Sequence, residues 1–416
     1  MPPSLSDKLK NLGVKVGAKE LEHPAGPPIL QQLYGVDRLI PGRVTANAGG
    51  ETYVVETMYT TNIQHGRSDL NLDTPFDTLA AWVKEERIAT ASPEDFAFLD
   101  IETTGLSGGT GTYAFLVGVG RYTGEVYHLA QFFLRDPSEE EAQLLALEAF
   151  LAPCSILVTF NGKSFDAPLL NTRYAAHGWR SPLPQIASLD LLHLARRLWR
   201  DRLPSRTLGA LEAQILGHHR SEEDVPGWLV PQMYFDYLHT GDARLLRGVF
   251  YHNAVDVLSL AALLKHVAAL LNDPLNGSVQ NALDWPALGR LFTDLGQEET
   301  AVTLFQRALA CVLPRELYNQ TQHDLSFLYK RRGESDQAVA LWLQAAQEGA
   351  IYACVELAKL YEHEHHDLPR ALHWTQFALD RLLSPGAQAA ERFAWQNELS
   401  HRCQRLLRKI ASQNSG

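Results

Sequence analysis

The run Phe96-Ala97-Phe98-Leu99-Asp100-Ile101-Glu102-Thr103-Thr104-Gly105-Leu106 decides how this chain is read. Four apolar residues lead into two carboxylates two positions apart. On a strand such residues share a face, so Asp100 and Glu102 project together. Bare carboxylates on a buried strand are costly to desolvate, and a divalent cation is the usual compensation. Oxygen donors on a rigid strand suit Mg2+ or Mn2+ better than Zn2+. The plainer alternative is a solvated acid pair on an edge strand.

Two further acids extend the pattern. Ser155-Ile156-Leu157-Val158-Thr159-Phe160 reads as a strand and is followed by Asn161-Gly162-Lys163-Ser164-Phe165-Asp166. Asn-Gly is a turn signal and Pro168 suits the first turn of a helix. Asp166 therefore falls at a helix N-terminus, where an N-capping role is the competing explanation. Tyr251-His252-Asn253-Ala254-Val255-Asp256 lies inside a long helical pattern. Residues four apart share a helix face, so His252 and Asp256 look into the same space. A histidine beside a metal-bound carboxylate can act as general base; Tyr251 remains an alternative for that role.

Asp-x-Glu on a first strand, Asn…Asp after a later strand, and a late helical acid preceded by His or Tyr resemble the DEDD group of 3′–5′ exonucleases. These have the ribonuclease H-like fold. More narrowly the chain resembles the YprB-type ribonuclease H-like proteins, in Ser107 to Gly120, Asn161 to Asp166, Asp224-Val225-Pro226-Gly227 and His252 to Leu260. By that resemblance Asp100, Glu102, Asp166 and Asp256 are the metal ligands. His252 takes the place of the catalytic tyrosine or histidine, although with His four residues and Tyr five residues before the last Asp the order is the reverse of both known branches. Thr103 and Leu106, with Asn161 and Lys163 beside the ligands, are implied substrate contacts. The resemblance implies two Mg2+ or Mn2+ ions ~3.5–4 Å apart, hydrolysis of single-stranded DNA or RNA, and release of nucleoside 5′-monophosphates. A nuclease-fold adaptor that no longer cuts is the alternative function.

A net charge of −11 and a pI near 5.8 are unusual for a nucleic-acid enzyme, but whole-chain charge does not report a local groove. Residues 161–220 hold nine Lys/Arg against four Asp/Glu, with Trp179 and Trp199 among them. This stretch is the expected substrate track, phosphates following charge and bases stacking on rings. Cys154, Cys311, Cys354 and Cys403 are scattered, with no C-x-x-C pair. That fits a reducing cytoplasm better than a disulfide framework or a zinc knuckle. No run approaches the ~20 apolar residues of a membrane span, so no membrane partner is expected.

Pattern predicts an α/β ribonuclease H-like core. Strands at 95–103, 112–120 and 125–133 form a meander; a helix capped by Ser138 and Glu141 follows, then strand 155–160, helix 166–177, a strand near 186–189 and helix 190–199. Asp190 is read as an N-cap before a metal ligand. The acidic run Glu222-Glu223-Asp224 is read as solvated. The expected domains are a partly ordered N-terminal subdomain at 1–90, the nuclease domain at 91–275, and helical repeats at 280–416. The repeats come from self-similarity: Leu288-Gly289 to Gly296 matches Leu325-Ser326 to Gly333 at an offset of 37, and Ala338 matches Ala371 at 33. This resembles tetratricopeptide repeats and suggests a surface for a protein partner.

Overall fold

The computed structural model describes residues 33–105, 111–277, 279–384 and 389–413. Leu106, most of the glycine-rich loop after it and the expected helix at Asp7 to Leu21 lie outside them. The chain divides into two units. One takes in the described residues of Met1–Phe76 with Glu85–Leu192 and Thr207–His266; the other takes in Asp77–Lys84, His193–Arg206 and the described residues of Val267–Gly416.

The first unit is built on one mixed sheet of seven strands: β1 (Arg43–Asn47), β2 (Gly50–Thr60), β3 (Phe96–Thr103), β4 (Ala114–Thr123), β5 (Val126–Phe133), β6 (Ile156–Thr159) and β7 (Ala187–Asp190). Their spatial order is β1-β2-β5-β4-β3-β6-β7. The β3–β4–β5 meander is antiparallel, and β6 and β7 run parallel to β3. The described part of residues 1–90 is not set apart as the sequence suggests: β1 and β2 form a hairpin that pairs with β5 and lengthens the same sheet. Alternation of side chains along β2 carries no long-range information about its partner, so this placement was not legible.

Helices α1 (Glu140–Leu151) and α2 (Asp166–Ala176) cover one face. Ala97, Leu99 and Ile101 of β3 pack there with Leu144, Leu147, Leu169 and Tyr174. Phe96 and Phe98 point to the opposite face, where Phe98 meets Tyr122 and Tyr127. Asp100 and Glu102 continue the row of Phe96 and Phe98. Helix α3 (Leu191–Trp199) follows β7 and runs on into residues of the second unit, and α4 (Val230–Thr240) and α5 (Leu246–Asn272), most of which belongs to the first unit, complete the set. The Tyr127 hydroxyl donates to the Val257 carbonyl of α5 at 3.2 Å, which anchors that helix on the site-bearing face. Helix α5 is long and apolar enough to cross a membrane by length and composition, against the sequence expectation. Its apolar residues Val249, Val257, Leu260 and Leu264 are buried, so its hydropathy is that of a core helix. The start of α1 also differs: Asp136, not Ser138, caps the 3-10 turn before it by accepting the Ser138 N–H at 2.8 Å.

The second unit holds α6 (Asp284–Asp294), α7 (Glu298–Leu309), α8 (Arg315–Arg331), α9 (Ser335–Gln347), α10 (Ile351–His363), α11 (Leu368–Leu383) and α12 (Ala389–Gln413). The small residues picked out by the repeat sit at helix crossings. Ala301, Ala338 and Ala371 are fully buried, and a Cβ on Gly289 would lie 2.6 Å from the Phe305 ring. The all-helical pattern fits the sequence reading; the tetratricopeptide assignment remains a resemblance.

Candidate active site

The site is assembled from four separate parts of the first unit. β3 supplies Asp100 and Glu102, whose register opposite Gly118 and Leu116 of β4 breaks at a bulge between Glu102 and Thr103. Both side chains are half-buried. Asp166 is the first residue of α2 and is buried. The loop before it turns through Asn161, which adopts a left-handed φ of 68°, a conformation asparagine tolerates better than most residues. Asp190 pins that loop. Its Oδ1 accepts the N–H of Asn161 at 2.8 Å and of Leu192 at 3.0 Å, and its Oδ2 accepts that of Lys163 at 3.2 Å. Asp190 thus caps α3 and shapes the approach to Asp166 together. Gly162 has no room for a side chain: a Cβ would lie 2.5 Å from Thr159 Cβ and 2.7 Å from Asp166 Oδ2.

His252 and Asp256 lie one turn apart on α5, with His252 Nε2 3.5 Å from Asp256 Oδ2. Glu102, His252 and Asp256 each offer a ligand atom, all within 4.8 Å of one another. Among the described residues no other group of three or more His, Cys, Asp or Glu meets that condition, so the His363-His365-His366 cluster forms no such site. Tyr251 is turned away; its hydroxyl accepts the Ser221 N–H at 2.9 Å.

Three residues of the site escaped the sequence reading. Arg220 donates to both oxygens of Glu212 at 2.6 Å, and its guanidinium is also paired with Asp256. Asp224 Oδ1 lies 2.8 Å from His252 Nδ1, so Asp224 is a partner of the site and not simply a solvated acid. An Arg220 nitrogen lies 3.0 Å from the same Nδ1; the carboxylate can only accept and the guanidinium only donate, so the two contacts call for opposite protonation of Nδ1, while Nε2 faces Asp256. Glu212 is buried in a one-turn π-helix, Glu212–Leu216, a feature that recurs at functional sites. The turn after it is fixed from outside: Arg67 N–H donates to the Leu216 carbonyl at 2.7 Å. His218 stacks on His65 at 3.9 Å, and His65 Nε2 meets Ser259 Oγ of α5 at 2.7 Å. A signal existed in His218-His219-Arg220 followed by Asp224, but nothing local said that it folds back onto α5.

The electrostatics are those of an under-compensated acid cluster. Burial, then the charges of Asp256, Glu102 and Asp166, hold Asp100 well above the usual carboxylate range. Glu102 is raised likewise by burial, Asp256 and Asp166, with Arg220 opposing. Burial, with Asp190, pushes Asp166 up to about 7. Burial raises Asp256 to about 6 against the pull of Arg220 and His252. A set of carboxylate oxygens joined by one imidazole nitrogen, too acidic for its single arginine, fits a divalent cation of the Mg2+ or Mn2+ kind.

The remaining expected contacts are less committed. Thr103 is buried and its hydroxyl donates to the Gly105 carbonyl at 3.0 Å. Asn161 and Lys163 are exposed, and Leu106 lies outside the described residues. Part of the basic stretch is already committed within the fold, while Lys163, Arg180, Arg196 and Arg200 are exposed. Trp199 is fully buried, Arg173 is buried in a two-pronged 2.6 Å pair with Glu140, and Arg202 pairs with Asp284 at 2.7 Å. A count of charges along the chain could not distinguish cations facing solvent from those already neutralised.

A mixed sheet with acids converging from β3, α2 and α5 is the architecture of a ribonuclease H-like nuclease, and residues 97–268 match the RNase_H superfamily. Over 322 residues the chain is 34% identical to the protein YprB of Bacillus subtilis (strain 168), covering 76% of this chain and 75% of that one. The chain belongs to the YprB family within that superfamily. Among solved structures it is similar to a family B DNA polymerase from the hyperthermophilic archaeon Pyrobaculum calidifontis, at 16% identity over 49% of this chain and 29% of that one. The TM-score of 0.33 is too low for that similarity to support an argument.

Proposed function

We propose that this protein is a divalent-metal-dependent exonuclease that removes nucleotides from the 3′ end of single-stranded DNA or RNA by a two-metal mechanism. The observation that carries the reading is the approach of Glu102, His252 and Asp256 within 4.8 Å, with the charges of Asp166 and Asp256 acting on both Asp100 and Glu102. Asp100, Glu102, Asp166 and Asp256 would hold Mg2+ or Mn2+. The ions, when bound, supply an acidified water and neutralise charge at the phosphate. His252 Nε2 accepts the proton of the attacking water, and Asp224 stabilises the resulting imidazolium through Nδ1–H. The P–O3′ bond breaks, and the departing oxygen takes a proton from solvent as a nucleoside 5′-monophosphate leaves. An acidic cluster of this kind repels polyanions until cations fill it, which makes nucleic-acid binding metal-dependent as well.

The test is release of mononucleotides from end-labelled oligonucleotides in Mn2+. Wild type should shorten them from the 3′ end, stop at a 3′-terminal phosphorothioate, and lose activity on chelation. Asp100→Ala/Glu102→Ala should be inactive. A double variant that still cuts would refute the ligand assignment. A silent wild type would favour the adaptor reading, with the helical repeats as its working surface.

A further inference from the structure

Behind the acidic cluster lies a buried polar relay. Asp100 of β3, Gly118 of β4 and Gln131 of β5 stand side by side across the sheet, since Asp100 pairs with Gly118 and Gly118 with Gln131. The Asn253 side chain of α5 lies over the middle of this row. A Cβ on Gly118 would sit 2.8 Å from Asn253 Cγ and overlap its Oδ1, so the amide fits only because that position is glycine. Asn253 is fully buried and Gln131 is 3% exposed.

The direction of every hydrogen bond in the relay is dictated from its two ends. The Phe250 carbonyl can only accept, and Gln131 Nε2 donates to it at 2.9 Å. The same nitrogen donates to Asn253 Oδ1 at 2.9 Å. With its oxygen thus taken, Asn253 turns Nδ2 to β3 and donates to the Asp100 carbonyl at 3.1 Å and to Asp100 Oδ2 at 3.0 Å. Reversing either amide would set oxygen against oxygen or leave a buried donor unpaired, at a cost comparable to a lost hydrogen bond. Asn253 is three residues from Asp256, nearly one helical turn. The same contact that fixes one oxygen of Asp100 therefore also pins α5 beside the point where Asp256 leaves it.

We propose that Asn253, oriented by Gln131, is a positioning residue of the metal centre: it anchors Asp100 Oδ2, leaves Oδ1 for the cation, and sets the spacing between Asp100 and Asp256. The inference rests on the metal-dependent reading above. Neither amide is a ligand, so the relay acts through Asp100. Partners of metal ligands that fix ligand orientation change affinity about 10–100-fold when removed.

The experiment is Mn2+ binding to the full chain, followed by electron paramagnetic resonance of the free ion at constant pH. Circular dichroism and thermal unfolding serve as checks of folding. Asn253→Leu keeps the heavy-atom count of the side chain and Gln131→Met nearly so, and both remove the amides. Each should weaken Mn2+ binding about 10–100-fold, and the double variant should be no worse than the weaker single one, as for members of one network. At saturating Mn2+ the KM for an oligonucleotide should stay at the wild-type value while kcat recovers. If Asn253→Leu does not fold, Asn253→Ser and Gln131→Met carry the test. Folded variants that bind Mn2+ within about twofold of wild type would overturn the role, because outer partners of a ligand are worth far more than that. Wild-type protein that takes up no Mn2+ would overturn the metal reading and this inference with it.

Discussion

His252 is held by groups with opposite demands. Its Nδ1 faces the Asp224 carboxylate at 2.8 Å and an Arg220 nitrogen at 3.0 Å. A general base needs Nε2 unprotonated, the tautomer that the contact with Asp224 favours and the contact with Arg220 opposes. Tyr251, the alternative weighed from spacing, spends its hydroxyl on the Ser221 N–H. If His252 is the base, His252→Gln should lower kcat about 10²–10⁴-fold while the fold is retained, whereas Tyr251→Phe should stay close to wild type. Single-turnover rates on an oligonucleotide decide this; a larger loss in the Tyr251 variant would exchange the roles. Residue identities were legible in the sequence, since helix periodicity alone puts His252 beside Asp256. The carboxylate facing Nδ1 was not, because Asp224 lies 28 positions away in an irregular segment.

At the scale of elements, each side chain of the proposed site depends on a backbone that its own element does not determine. The Glu212–Leu216 turn is held to Asp256 by Arg220, which is 15% exposed, while the Glu212 side chain is 1% exposed. Arg220→Ala would strand Glu212 as an unpaired buried acid and loosen Asp256 as well. Loss of one partner of such a pair costs about 3–5 kcal/mol, and chemical denaturation should show a loss of that order. Arg220→Ala with Glu212→Leu should recover much of it, because well-packed apolar replacements tolerate burial. If the double variant is no more stable than the single, the pairing with Glu212 is not what holds the turn. The meander and the αβαβα order could be read from periodicity and turn residues. The crossing of α5 over β3 could not: it depends on the close approach that Gly118 and Gly120 permit, with Tyr127 filling the space a Cβ on Gly120 would need.

For the molecule as a whole, the acidic cluster makes metal binding a matter of stability. Asp166 is raised to about 7 and Asp256 to about 6, above the ~4 of an unfolded carboxylate. A raised carboxyl binds its proton more tightly in the folded state. Its contribution is fully present below pH ~4 and lost as pH rises through about 6 for Asp256 and about 7 for Asp166. With chelator present, the nuclease unit should therefore show a lower unfolding temperature at pH 8 than at pH 5.5. Millimolar Mn2+ should raise it at pH 8 far more than at pH 5.5, because protonated acids bind metal weakly. Calorimetry at the two pH values checks both signs, and a metal effect independent of pH would contradict the cluster.

By itself the sequence determined the class of protein. Carboxylates at strand spacing after an apolar run, an acid at a helix start and a His–Asp pair one turn apart are local facts, and local geometry is what residue order encodes most directly. Only the tertiary structure decided which charges were free for chemistry. Arg173, Arg202 and Arg220 look alike along the chain, yet each is committed to a carboxylate that arrives from elsewhere. Asn253 lies in a stretch that resembles the YprB-type proteins, but nothing in it points to Gln131, and the two amides meet only because β5, β4 and β3 align them across a bare glycine. Distant pairings are set by packing and burial, whose energies belong to the folded chain and not to any stretch of it.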